Sequence, residues 1–349
     1  MKQTTTQDNR AKTLARPALA HEAAPVPARR GWVFGEGFLA RTEVLALLLS
    51  FLPGASLLNA GEQPCQPRYR FIEITLPGPS QAVGINDDGL VTGFYTDSTT
   101  GDVFSFLSKH GALTTGISAP GATFTALGPA NNRGVESGNY GDETHQQPVF
   151  YDVRSGVFSP LPEIPGMPFN YGDGINNFGH ASGVAYAAGD FYNGGTGLGL
   201  NWIWDGRHYS FFTVPGADDG AAAGGINDRD QVSGLYVDSS GTPHGFLKDG
   251  ENYTTLDAPG ALYTVAFGIN NLGVVAGLYV NPDHSHHGYF WRDGKFVTVD
   301  ANVPGSVGTL WYASNDHGDL AGNYYDSAHA PHAVIAERLD RDGDCKDDN

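Results

Sequence analysis

A motif of the form Gly-Ile-Asn-x-x-Gly-x-x-x-Gly recurs along this chain at a nearly fixed interval. Intact copies begin at Gly84, Gly174 and Gly268. A fourth begins at Gly225, with Asp230 in place of the middle glycine, and two degenerate copies are anchored on Asn131 and Asn315. The anchors Asn86, Asn131, Asn176, Asn227, Asn270 and Asn315 are spaced by 45, 45, 51, 43 and 45 residues. A period of that length is one supersecondary unit repeated, and no single unit can bury its apolar face without a neighbour.

Tyr263 to Ser306 serves as the template. Tyr263 to Asn270 reads as a first strand, Asn271-Leu272-Gly273 as a turn and Val274 to Asn281 as a second strand. A polar loop leads to a third strand, His287 to Trp291. The tight-turn dipeptide Asp293-Gly294 then precedes a fourth, Lys295 to Asp300. Four strands in about 45 residues is the size of a propeller blade. Asp205-Gly206 and Asp249-Gly250 repeat the hairpin turn, and Ala119-Pro120-Gly121, Val214-Pro215-Gly216 and Ala258-Pro259-Gly260 repeat the link to the next unit. The second strands carry Gly93, Gly138, Gly183, Gly234, Gly277 and Gly322, and five of these have Tyr two residues on, the same face of a strand. This predicts a glycine leaving room for a neighbouring blade or ring, with tyrosine filling the space beside it.

The expected fold is all-β: a six-bladed β-propeller of four-stranded blades over residues 65–339. The two ends of the array predict its closure. Arg70 to Leu76, followed by Pro77-Gly78-Pro79, reads as a fourth strand ahead of any complete repeat, and the last repeat lacks one. The N-terminal strand therefore completes the C-terminal blade and removes the edges that an open array would expose. The only cysteines, Cys65 and Cys345, flank this seam. In an oxidising compartment they are expected to form a disulfide, two unpaired thiols being the alternative.

Residues 1–60 differ in kind. An apolar run, 44–52, follows Arg29, Arg30 and Arg41 and precedes Ala55, Ser56 and Ala60, the order of a secretory signal. The segment before it is longer than such signals usually carry, and a disordered tail with an apolar patch is the competing reading. A run of this length is too short to span a bilayer, which takes about 20 residues. The leader holds 7 Lys/Arg against 4 Asp/Glu and the remainder 13 against 34. So acidic a body repels a phosphate backbone, which excludes nucleic acid as an expected partner. A secreted, periplasmic or cell-surface monomer without a membrane span in its mature form is expected.

The third strands open with His244-Gly245-Phe246, His287-Gly288-Tyr289 and His332-Ala333-Val334. Together with the Gly-Ile-Asn-x-x-Gly repeats, these resemble the HAF-type extracellular repeat over about residues 69–336. Phe104, Gln147 and Leu200 stand where His would be in the first three units. The resemblance implies a secreted or surface-exposed, propeller-like protein and no established reaction, so it supplies no catalytic residues.

Asn-Asp-Asp-Gly at Asn86 has the oxygen donors that suit calcium. Its relatives Asn-Asn-Arg, Asn-Asn-Phe and Asn-Asn-Leu do not keep a ligand set, which favours an Asn folded onto its own turn. His284-x-His286-His287 has imidazoles close in sequence, but His287 belongs to the repeat. The tail, 340–349, places Asp340, Asp342 and Asp344 around a glycine in the manner of a calcium loop, with an acidic tail as the alternative. Calcium is thus the one cofactor considered, and none is expected. The 51-residue step comes from an insertion after Tyr186. Asp190, Phe191, Tyr192 and Asn193, then Trp202 and Trp204, and Asp219 on the next link, are the candidate ligand-binding residues, their aromatics and amides suiting a sugar. His180, Asp190 and Asp218 are the candidate acid/base residues if catalysis occurs. The expected function is a binding module for glycans or proteins. An extracellular polysaccharide lyase or hydrolase and a purely structural surface protein are the alternatives.

Overall fold

A computed structural model describes residues 67–142, 144–187 and 199–340. It is all-β, with 24 strands and no helix among the described residues. The short strand β1 (Tyr69–Glu73) comes first. Antiparallel groups follow: β2 (Ser80–Ile85), β3 (Leu90–Thr96), β4 (Val103–Lys109) and β5 (Ala112–Ile117); then β6 (Phe124–Ala130), β7 (Val135–Gly141), β8 (Gln146–Asp152) and β9 (Val157–Pro160). The insertion lies in the next group, β10 (Phe169–Ile175), β11 (Ala181–Tyr186), β12 (Leu200–Trp204) and β13 (Tyr209–Phe212). After it come β14 (Ala221–Ile226), β15 (Val232–Val237), β16 (Pro243–Asp249) and β17 (Asn252–Leu256), and then β18 (Tyr263–Ile269), β19 (Val275–Val280), β20 (His286–Arg292) and β21 (Lys295–Thr298). The chain ends in β22 (Gly308–Ser314), β23 (Leu320–Tyr325) and β24 (Pro331–Arg338). Single parallel contacts, such as Val103 beside Phe124, join some groups into longer sheets of 8 and 12 strands, none closed on itself.

The ends meet as the sequence expectation requires. β1 pairs antiparallel with β24, from Tyr69 opposite Arg338 to Glu73 opposite Val334. Arg70 forms an ion pair with Glu337, and Phe71 stacks on Trp311 at 6.4 Å. The Arg68 N–H donates to Asp340 Oδ1 at 3.1 Å, and the Leu339 N–H to the Arg68 carbonyl at 2.9 Å. Ala82 and Phe106 of the first group share one buried cluster with Ala313, Ala321 and Ala333 of the last. Cys65, Cys345 and the apolar run 44–52 lie outside the described residues.

The repeated motif explains itself at two positions. A Cβ on Gly268 would come 2.5 Å from the Tyr312 carbonyl, so the glycine lets adjacent innermost strands approach. A Cβ on Gly234 would fall 2.3 Å from the Ala222 carbonyl and 2.7 Å from the Phe246 ring. The expected room for an aromatic is thus real, and the ring comes from the group's own third strand. The turn's middle glycine adopts positive φ throughout, as at Gly273 with φ of 80°. Asp230, its one replacement, keeps φ of 56° and gains partners instead: the Asn176 Nδ2 at 3.0 Å and His180 Nδ1 at 2.8 Å.

Candidate functional site

Each anchor asparagine serves two units. Its Oδ1 accepts backbone N–H groups of its own turn, as Asn270 does from Leu272 at 3.0 Å and Val274 at 2.9 Å. That is the turn role expected from sequence. Its Nδ2 donates onward to the carbonyl of the next anchor, a role that no local turn motif reports. The chain of donors runs from Asn86 to Asn131 (3.1 Å), Asn176 (3.0 Å), Asn227 (3.1 Å), Asn270 (3.1 Å) and Asn315 (2.8 Å), and from Asn315 back to Asn86 (3.2 Å). A second circuit lies beside it. The N–H of each following residue donates to the side chain of its counterpart in the next unit, through Asp87, Asn132, Asn177, Asp228, Asn271 and Asp316, and the N–H of Asp316 donates to Asp87 at 2.8 Å. These circuits surround a central cavity of about 180 Å³. Three carboxylates therefore stand at its rim. Burial, then the neighbouring charge of Asp87, pushes the Asp316 carboxyl above its ordinary range.

Three residues before each anchor, the innermost strand contributes a residue to the cavity lining. The six are Val83, Gly128, Asp173, Gly224, Phe267 and Tyr312. The first five are half-buried between buried or tightly packed neighbours, the mark of contact with an internal space. The column is chemically lopsided. Asp173 lies between two glycines; three steps round the circuit stands Tyr312, which packs edge-on against Phe267 at 4.8 Å between ring centroids. The Tyr312 hydroxyl donates to Gln81 Oε1 at 2.7 Å. Asp173 reaches cavity solvent but is otherwise surrounded by protein. Its Oδ2 is enclosed and has no hydrogen-bond partner. Burial alone raises its carboxyl from 3.8 to about 7. An uncompensated carboxyl in such a place is costly unless something pairs with it or it takes up a proton.

The candidates named from sequence fall elsewhere. Successive turns of an antiparallel group alternate between its two ends. His180, in the motif turn, therefore sits at the opposite end from Asp218 and Asp219, which lie on the link between groups. Its partner is Asp230, and the pairing of His180 with Asp218 is not formed. Trp202 has no exposed surface; its indole N–H donates to Asn170 Oδ1 at 2.7 Å, so it belongs to the core and offers no stacking face. Trp204 is half-buried against Tyr209, at the hairpin end of β12 and away from Asp219. Asp190, Phe191, Tyr192 and Asn193 lie outside the described residues, as do Asp342 and Asp344. Asp340 is buried, its Oδ1 taken by the Arg68 N–H and by Arg338 Nε at 3.2 Å.

The repeat histidines are clamps. His244 bridges Asp257 (2.9 Å) and Asp238 (3.4 Å) and stacks on Tyr236 with centroids 5.0 Å apart. His287 pairs with Asp300 at 2.8 Å and stacks on Tyr279. His332 pairs with Asp326 at 3.1 Å and stacks on Tyr324. His286, next to His287, packs edge-on to Tyr325 instead, since neighbouring strand residues face opposite ways. Among the described residues no group of three His, Cys, Asp or Glu could hold a metal ion.

No protein-family model matches the chain, and no curated protein matches it. Solved structures similar to it are propeller-type proteins. TolB from Acinetobacter baumannii is 9% identical, with a TM-score of 0.49 over 71% of this chain and 63% of that one. A SapL1 lectin in complex with alpha methyl fucoside is 13% identical, with a TM-score of 0.46 over 76% and 97%. The β-propeller domain of the Trilobed protease from Pyrococcus furiosus is 8% identical, with a TM-score of 0.43 over 75% and 95%. The chain spans less than two thirds of the TolB structure's length. Among the described residues no helix is long and apolar enough to cross a membrane.

Proposed function

We propose that this chain is a closed six-bladed propeller of the HAF-repeat type, exported from the cytoplasm, that works as a binding module. The observation that carries the reading is the asparagine circuit: it returns from Asn315 to Asn86 and surrounds a cavity whose wall is regular in backbone and irregular in chemistry. A regular frame with one irregular lining fits a scaffold that holds a ligand. The β1–β24 seam supports closure, and it also bears on the disulfide. Cys65 stands three residues before Arg68 and Cys345 five after Asp340, and Arg68 and Asp340 are hydrogen-bonded. A Cys65–Cys345 bridge would staple this seam. Glycans and proteins remain the macromolecular partners proposed from the sequence.

The test is a glycan and protein array probed with the exported form, recovered from culture fluid or periplasm. Saturable binding to a defined class supports the module. Retention of the chain in the cytoplasm, with no affinity for any class, removes it. Non-reducing mass spectrometry of the same sample reports the cleavage site and the bridge together.

One observation favours catalysis as a second reading. A carboxyl held near neutrality, as Asp173 is, suits a general base. Incubation with polysaccharides, scored for new reducing ends or unsaturated sugars, decides it. Turnover lost in Asp173→Asn supports the lyase or hydrolase; unchanged polymer excludes it for that substrate.

A further inference from the structure

The column of six cavity-facing residues is where this near-symmetric molecule departs most from its own repeat. Five of the six positions are neutral, and the sixth is an acid with an enclosed, unpaired oxygen. The acid has glycine on either side, Gly128 and Gly224; a Cβ there would come 2.9 Å from the Ser137 carbonyl and 2.7 Å from the Phe267 carbonyl, so these positions let neighbouring backbone close in and bring no side chain toward the carboxyl. The opposite wall is Phe267 and Tyr312. Aromatic faces attract cations through their quadrupole. The rim adds Asp87, Asp228 and Asp316, which attract cations toward the mouth. Carboxyl, aromatic wall and rim thus favour the same sign of charge. An anion meets three carboxylates and then a fourth.

Size narrows the choice. An engineered apolar cavity of roughly 150 Å³ accepts benzene, and the space here is about 180 Å³. That suits a molecule of about one ring, or the end residue of a chain whose remainder stays outside the mouth.

We propose that the central cavity is a binding site for a small organic ammonium ion, its charged head on Asp173 and its apolar body against Phe267 and Tyr312. The inference rests on the binding-module reading and names a ligand class for it. The ammonium supplies the hydrogen-bond donors and the positive charge that Asp173 lacks within the protein. The head cannot pair with a protonated acid in the same way, so occupancy depends on the charge state of Asp173. Among strands packed on β10, β6 and β14 bring no titratable side chain. β7 carries Glu136 and Tyr140, β8 carries Tyr151 and Asp152, and β11 carries Tyr186, whose phenol is raised by burial first and then by the neighbouring Asp173. Tyr171 lies on β10 itself and packs edge-on to Tyr186.

The test is calorimetry with benzylammonium, and with benzyl alcohol and benzoate as neutral and anionic isosteres, on the full chain. At pH 8 benzylammonium is expected to bind, with benzyl alcohol at least about tenfold weaker and benzoate undetected. Below pH 7 affinity should fall about tenfold per pH unit as Asp173 takes up its proton. Asp173→Asn should abolish this pH dependence and weaken binding at pH 8 at least about tenfold; Phe267→Leu should weaken it several-fold. The melting temperature of Asp173→Asn at pH 8 should equal or exceed that of the wild type, which separates lost binding from lost folding. Equal binding of benzyl alcohol, or full affinity in a folded Asp173→Asn variant, overturns the proposal. So does a lack of saturable benzylammonium binding, even if the array finds a glycan or protein; in that case the binding module stands without this ligand. Conversely, benzylammonium binding with a blank array keeps the ligand class and removes the macromolecular partner.

Discussion

Asn270 holds its own turn with one side-chain atom and the next unit with another. Replacing it with Ala removes two turn hydrogen bonds, leaves the buried Val274 N–H without this acceptor, and takes one donor from the Asn315 carbonyl, which keeps the Gly318 N–H and the Ser314 hydroxyl. A loss of about 2 kcal/mol or more is expected in denaturant unfolding, since each bond contributes about 1 kcal/mol and an orphaned buried group costs about 1–3. Asn270→Asp keeps the turn acceptor and loses the donor, so it should lie between Ala and wild type. Glu136 acts in the opposite direction. It is wholly buried, neither carboxyl oxygen has a hydrogen-bond partner, and burial pushes its pKa well above the carboxylate range. The same column in the other units holds Val91, Ala181, Val232, Val275 and Leu320. Glu136→Val should therefore stabilise the fold at pH 8, by about 1 kcal/mol or more. The sign of the pH effect follows from linkage. Glu136 and Asp173 bind their protons more tightly folded than unfolded, so this contribution is fully present below the unfolded carboxylate range. It is lost as pH rises, in the case of Asp173 between 3.8 and about 7. Thermal scans from pH 4 to 8 should show wild-type stability declining on this account, and the double variant Glu136→Val/Asp173→Asn should show a flatter profile.

At the scale of elements, β1 is the test piece. It is short and only half-buried, and a lone strand of that kind has no stability of its own. Its role is to cover the edge of β24. A chain beginning at residue 67 should melt as the full chain does, apart from any contribution of a Cys65–Cys345 bridge. A chain beginning at residue 78, without β1, exposes that edge; it should melt several degrees lower and form higher oligomers on size exclusion. Equal melting temperatures and a monomer from both would remove the seam from the account. The clamps behave as elements too. Burial lowers the pKa of His244, but its hydrogen bonds and charge interactions with Asp257 and Asp238 outweigh this and raise it. The stabilisation from this clamp is present below pH 6.5 and is lost as pH rises through the raised value.

Across the whole molecule, the strands and their groups could be read from the phase of the motif. Asn and Gly at fixed intervals are demanded by turn and strand geometry, so they leave a periodic trace. The seam was legible because Arg70 to Leu76 had no partner within its own repeat. The cavity acid was not. Asp173 keeps the spacing of its column and breaks only its chemistry, beside Val83, Gly128, Gly224, Phe267 and Tyr312. The interrupted 45-residue rhythm marks the insertion after Tyr186 instead. Aligning the six units and asking which column admits a single charge would have found both Asp173 and Glu136. The onward donation of the anchor asparagines was hidden for another reason: the sequence reports a turn locally, whereas a circuit joins residues from separate repeats.

Closure is the claim on which the cavity, the seam and the ligand proposal all depend. Hydrogen–deuterium exchange of the intact chain tests it most directly. A closed ring predicts that β1, β2 and β24 are protected as strongly as β14 to β19, and that the Asp87 and Asp316 amides exchange only with global unfolding. Exchange of β1, β24 and these two amides within seconds, while the middle groups stay protected, would contradict it.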